Sequence, residues 1–242
     1  MPHTISLIVR SAPVVLAFAV LGCGSDLVLP ESPSSAARTV ALTKVDGDVQ
    51  TGPVGEKLLK PLRVQVLDSE QHPMIGLSVS FALSDPAAGA VDPTTATTNS
   101  AGEAIANWTL GTVPGSYMVV AALVGVEGQD KVAEFHGTAA PGAPAVSAAQ
   151  TPLDQPGRRE QPVRTPPVVQ MVDRFGNPVP GIAVTWQVVA GEGQIANPIS
   201  TTDAEGKASA EWTLGNRIGV HKLTASLEGG ALPVTFTARV LF

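Results

Sequence analysis

Four imidazoles and a scatter of carboxylates are the groups in this 242-residue chain best able to hold a metal or move a proton. The imidazoles are His3, His72, His136 and His221. They are all more than 60 residues apart, and none belongs to an H-x-H or H-E-x-x-H pattern. A zinc site needs several converging ligands, so no metal centre is expected. His72 falls in a turn, where a solvated imidazole is the simpler reading. Asp68, Asp92, Asp173 and Asp203 also stand at turns. Calcium would need six or more oxygens gathered together, whereas a bond from each carboxylate to its own turn backbone accounts for a lone Asp. No G-x-S-x-G elbow, P-loop or strand-following G-x-G-x-x-G is present. Gly191, Glu192 and Gly193 read as a turn with no helix behind it. No two groups have a catalytic spacing, so the sequence assigns no catalytic residue, no cofactor and no enzymatic activity.

Trp108, Trp186 and Trp212 could serve as sugar-stacking platforms if exposed. Trp108 and Trp212 instead share a phase with Ala and Leu, which places them inside a core. Arg158, Arg159 and Arg164 form the only basic cluster, interrupted by Glu160 and Pro162. It reads as a solvated loop, with an acidic glycan or lipid headgroup as the functional alternative. The formal charge is −6 and the isoelectric point about 5.2. Nucleic-acid binders carry a basic stripe and a high isoelectric point, so that class is set aside.

Cys23 is the one residue for which a covalent role leads. It is the single cysteine, so no internal disulfide forms. Before it, an apolar or small run from Ser11 to Gly22 follows the lone charge of Arg10. The run is too short to span a bilayer, which takes about 20 residues, and it has the form of a secretory leader. Val20, Leu21, Gly22 and Cys23 resemble the bacterial lipobox, with Leu21 larger than usual. That resemblance implies removal of residues 1–22, a diacylglycerol on the Cys23 thiol and acylation of the new amino group. Gly24 in place of Asp resembles the pattern of proteins released to the outer membrane. The Asn107, Trp108, Thr109 sequon is discounted, because a lipobox implies a bacterium. The processed chain would carry −7, so its membrane attachment rests on acyl chains rather than on attraction to anionic lipid. Residues 24–37 are rich in Ser, Pro and Ala. They read as a tether reaching at most about 45–50 Å when extended.

Everything beyond the tether is one unit written twice. At an offset of 105, Asp68, Pro73, Gly76 and Val79 fall on Asp173, Pro178, Gly181 and Val184, and Phe81 falls on Trp186. One deletion later the offset is 104. Thr98, Gly102, Ala104 and Ala106 then meet Thr202, Gly206, Ala208 and Ala210, and the tetrapeptide from Trp108 to Gly111 recurs unchanged from Trp212 to Gly215. Within each unit apolar residues alternate with polar ones, as in Leu62, Val64 and Val66 or Leu77, Val79 and Phe81. Period two means strands. About seven short strands per 100 residues, separated by Gly, Pro and Asp turns, is the pattern of a β-sandwich. No amphipathic helix is expected after Cys23.

The stretch from Gly47 to Gly55 resembles the start of a bacterial Ig-like domain of the invasin/intimin, or Big-1, type. So do the Asp-to-Pro turns, the Thr-to-Gly turns and the Trp-Thr-Leu-Gly segments. The second unit departs from this pattern at Pro152–Glu160, which leaves its first strand in doubt. The resemblance implies an all-β chain of two tandem Ig-like β-sandwiches after a lipoprotein signal peptide and flexible tether. The expected organisation is leader 1–22, lipidated Cys and tether 23–38, first domain 39–139, linker 140–144 and second domain 145–242. The expected function is a membrane-anchored envelope lipoprotein acting as a rod-like spacer, scaffold or adhesion module. Its partners would be the membrane, through N-terminal acyl chains, and a cell-surface protein or glycan. The alternative is a glycan- or ligand-binding lipoprotein using a sheet face or the joint between domains. The sequence assigns no ligand-binding residue.

Overall fold

The computed structural model describes residues 40–125 and 131–241. Cys23, the leader and the tether lie outside the described residues. The described residues belong to one compact unit, built from two β-sandwiches, each around its own apolar core.

The first sandwich uses nine strands: β1 (Val40–Asp46), β2 (Gln50–Pro53), β3 (Leu62–Asp68), β4 (Ser78–Leu83), β5 (Gly89–Asp92), β6 (Thr95–Thr97), β7 (Glu103–Leu110), β8 (Gly115–Leu123) and β9 (Val132–Ala140). One sheet has the order β1-β3-β7-β5 and the other β2-β9-β8-β4-β6. The second sandwich has ten: β10 (Val146–Ala149), β11 (Asp154–Gly157), β12 (Val168–Val172), β13 (Ala183–Ala190), β14 (Gly193–Ile195), β15 (Ile199–Thr201), β16 (Lys207–Ser209), β17 (Trp212–Leu214), β18 (Gly219–Ser226) and β19 (Val234–Val240). The sheet β11-β19-β18-β13-β15 matches its counterpart strand for strand. The strand count exceeds the expected seven because short edge strands such as β2, β6, β11 and β15 are too brief to show a period.

One strand differs. β7 runs unbroken, whereas its repeat is split into β16 and β17 at Ala210 and Glu211. In the first sandwich Leu62 pairs with Ala106 at this level. Pro167 takes the place of Leu62 and has no N–H to give, so the ladder of β12 with β16 starts only at Val168.

Burial follows the alternation. Leu62, Val64, Val66, Phe81, Trp108, Val119 and Phe135 fill the first core, and Val169, Met171, Trp186, Trp212, Leu223 and Phe236 fill the second. Burying rings of this size is the main stabilising term in a sandwich short of other aromatics. The repeated turn motifs have the same role in both copies. Thr98 Oγ1 accepts from Leu77 N and donates to Met74 O, and Thr202 Oγ1 does the same with Ile182 N and Val179 O. Gly102 and Gly206 sit at φ +70 and +71, where a Cβ would strike the carbonyl oxygens of Val66 and Met171; this is why the turn requires glycine.

The strand left in doubt by the sequence forms. β11 pairs in parallel with β19, as β2 does with β9. Gln155 bonds both ways with Thr165, as Gln50 does with Lys60. Gln155 and Gly157 therefore stand at the places of Gln50 and Gly52. Only the last glycine of the pattern is replaced, by Glu160, which keeps a positive φ of 56.

Candidate functional site

The residues singled out for chemistry do not converge. His72 is largely exposed beside Asp68 and Glu70, and His136 is exposed near Asp48. Among the described residues no group of His, Cys, Asp and Glu is arranged to hold a metal ion. Three of the four turn carboxylates bond their own turns. Asp68 accepts from the N–H of Glu70 and His72, Asp173 from Phe175 and Asn177, and Asp203 from Glu205 and Lys207. Asp92 ends β5, and its backbone carbonyl accepts a long bond from Asn107 Nδ2. The three tryptophans are buried at 0–2% exposure, so none offers a stacking face. The exposed aromatic Phe175 lies where the two sandwiches meet. Arg158, Arg159 and Arg164 are all exposed.

The joint between the sandwiches is the most constructed polar site. Asp173 is 1% exposed and collects four bonds. Two come from its own turn, one from the Asn177 side-chain amide at 2.9 Å, and one from the linker N–H of Gly142 at 3.0 Å. Burial pushes its carboxyl up, but the Asn177 amide and the N–H groups of Gly142, Asn177 and Phe175 outweigh that and hold it below the ordinary value of 3.8. Asn177 Nδ2 also reaches across to the Thr112 carbonyl of the first sandwich at 2.8 Å. The Phe175 ring lies over Gly55, where a Cβ would come within 2.7 Å of it. The Arg174 guanidinium lies over the same ring, 4.7 Å from its centroid. Gly55 thus makes a seat and Phe175 fills it.

His221, to which sequence reasoning assigns no role, is fully buried. Its Nδ1 lies 2.9 Å from the Glu192 carbonyl and its Nε2 2.8 Å from the Arg217 carbonyl. Its phase carried the signal: His221, Leu223 and Ala225 alternate inward along β18. Tyr117 occupies the matching place in β8 and donates to the Val113 carbonyl. The ring is a structural tie between loops.

Residues 167–240 match the family model described as bacterial Ig-like domain (group 1). The second sandwich is similar to a group 1 bacterial Ig-like domain. The structure adds β10 and β11 to the matched span of this Ig-like domain, and the first sandwich repeats its strand order. Among solved structures, the chain is similar to the Escherichia coli adhesin FdeC at 18% identity and a TM-score of 0.53, covering 82% of this chain and 63% of that one. It is similar to Yersinia pseudotuberculosis InvD at 17% identity and a TM-score of 0.50, covering 82% and 57%. The chain therefore spans about three fifths of the length of either structure. These likenesses establish the Ig-like fold. No curated protein matches the sequence.

Proposed function

We propose that this chain is a non-enzymatic envelope lipoprotein, anchored in the outer membrane through acyl chains on Cys23. Its two Ig-like domains, 39–139 and 145–242, act as a spacer, scaffold or adhesion module for a cell-surface protein or glycan. The observation that carries the reading is the duplicated sandwich joined by a linker that Asp173 pins at Gly142. A pinned joint holds one module at a set distance from another, which is what a spacer has to do. The likeness to an E. coli adhesin supports the same reading. The non-enzymatic reading is supported by imidazoles that lie apart and by Asp68, Asp173 and Asp203, whose carboxylates are engaged by their own turns.

The test is fatty-acid labelling of cells expressing the chain, with the mass of the processed N-terminus. Labelling that is lost in Cys23→Ser supports the anchor. An unlabelled product in the soluble fraction overturns it. Protease shaving of intact cells then reads display, since release of an Ig-like fragment requires the sandwiches to face outward.

A further inference from the structure

The two sandwiches differ in charge. Residues 39–139 hold five basic and eleven acidic side chains, and residues 145–242 hold eight of each. Half of the eight cations in the second sandwich gather at one place. Because β11 runs parallel to β19, Pro156 sits beside Arg239. The chain then turns through Arg158 and Arg159, and Gln155 clamps Thr165, which fixes the backbone next to Arg164. Two adjoining depressions result, of about 720 and 550 Å³, sharing Pro156, Gly157, Arg158 and Gln161. Arg159 and Arg239 border the first and Arg164 the second, and among the described residues no carboxylate lines either.

Three of the five cations of the first sandwich are matched to acids: Lys44 with Asp48, Lys60 with Asp46, Arg63 with Glu103. In the groove only Arg239 has such a partner, Asp154 at 2.9 Å. Arg158, Arg159 and Arg164 have none among the described residues. The groove also occupies a telling position. Glu160 N bonds Gly215 O as Gly55 N bonds Gly111 O, so this turn repeats the one that seats Phe175. Here Arg158 and Arg159 stand where Pro53 and Val54 do, and Glu160 where Gly55 does. The place that receives a neighbouring sandwich in one copy is lined with guanidinium groups in the other.

We propose that this groove binds an acidic polysaccharide. All four cations are Arg, whose planar fork pairs two donors with one carboxylate or sulfate, which Lys cannot do. The site extends over two adjoining depressions whose Arg side chains are exposed, which suits a polymer. Pro156 and Pro162 offer flat C–H surface for sugar rings, and a Cβ on Gly157 would collide with Leu214 beneath it. A single-stranded nucleic acid would call for aromatic platforms between the cations, and among the described residues none borders the groove. The proposal deepens the adhesion-module reading and rests on it for access to such a polymer. Binding by the purified chain tests the groove, whereas shaving of cells tests display, so the two can fail separately.

The experiment measures the full chain against heparin, with neutral dextran, duplex DNA and phosphatidylglycerol vesicles as comparators. Wild type binds heparin with marked salt dependence and ignores dextran. R158A/R159A/R164A, checked for an unchanged melt, loses on the order of 100-fold if two or more charged bonds are removed. Should that variant fold poorly, R158K/R159K/R164K keeps the charge and loses the forks, and it binds heparin more weakly than wild type. Lys207→Ala, remote from the groove, binds as wild type does. No heparin binding by wild type, equal binding by the Arg variants, or binding to DNA or vesicles as tight as to heparin overturns the proposal.

Discussion

The two sandwiches share a strand order but anchor their central tryptophans differently. Trp108 Nε1 donates to the Ala88 carbonyl at 2.9 Å, whereas Trp212 Nε1, equally buried, has no partner among the described residues. The cause lies in the last strand. Gly137 leaves the Trp108 ring its room, since a Cβ there would come within 2.7 Å of it. Ala238 carries that Cβ at the matching place in β19. The Glu192 carbonyl, which corresponds to Ala88, accepts from Gly215 N as the Ala88 carbonyl accepts from Gly111 N, but it faces His221 Nδ1 where Ala88 holds the indole. One methyl group thus goes with an orphaned indole and a buried imidazole that serves the loop in its stead. A repeat can keep its topology while trading the side chain that ties a given loop.

The largest expected effects remove a ring altogether. Trp108→Ala and Trp212→Ala should each cost about 3–5 kcal/mol and melt their own sandwich first in a two-transition thermal scan. Simultaneous loss of both sandwiches from either change would mean that the joint couples them more strongly than the separate cores suggest. A finer cut is Trp→Phe. Both changes leave a small cavity, but Trp108→Phe also loses the indole bond to the Ala88 carbonyl, which keeps only Gly111 N, while Trp212→Phe removes an unsatisfied donor. Trp108→Phe should be the more damaging by roughly 1–3 kcal/mol, read from urea midpoints; equal costs would show that the orphan finds a partner in solution.

At the turns, Asp173→Ala removes the bond to the linker as well as those of its own turn, while Asp68→Ala removes two turn bonds. The first should cost about 1 kcal/mol more and should speed protease cleavage near Gly142; cleavage as slow as in wild type would deny the carboxylate its pinning role. The smallest effect is the pH dependence of that joint. Asp173 titrates below its unfolded value of 3.8, so its contribution is whole above that value and fades as the pH falls through the lowered one. Linker protection should hold from neutrality to mild acid and drop only in strong acid, in wild type but not in Asp173→Asn.

Much of the fold was legible because its signals are local or periodic. Alternation placed Trp108, Trp212 and their neighbours inside, and the recurring Thr, Gly and Asp residues marked turns that prove to be hydrogen-bonded alike in both copies. Gln155 and Gly157 were also readable at the same offset of 105; Pro156 between them and Glu160 in place of glycine hid the match. The seat of Phe175 on Gly55 was not readable, since it joins residues 120 positions apart whose types alone say nothing of contact. The Arg groove was half visible. The cluster at 158–164 showed in the sequence, but Arg239 joins it only through the parallel pairing of β11 with β19.

That pairing has a mechanical consequence. Gln50–Pro53 lies parallel to Gly137–Ala140, and Asp154–Gly157 parallel to Thr237–Val240, so each sandwich clasps an early strand against its last one. When the two ends of a sandwich are pulled apart, parallel strands slide along each other, and the cross-strand bonds share the load together instead of parting one by one. Each sandwich therefore carries a shear clasp across its ends. A tether under flow or drag would be resisted there first, and Gln50 and Gln155, which brace the adjoining turns, stand behind those clasps.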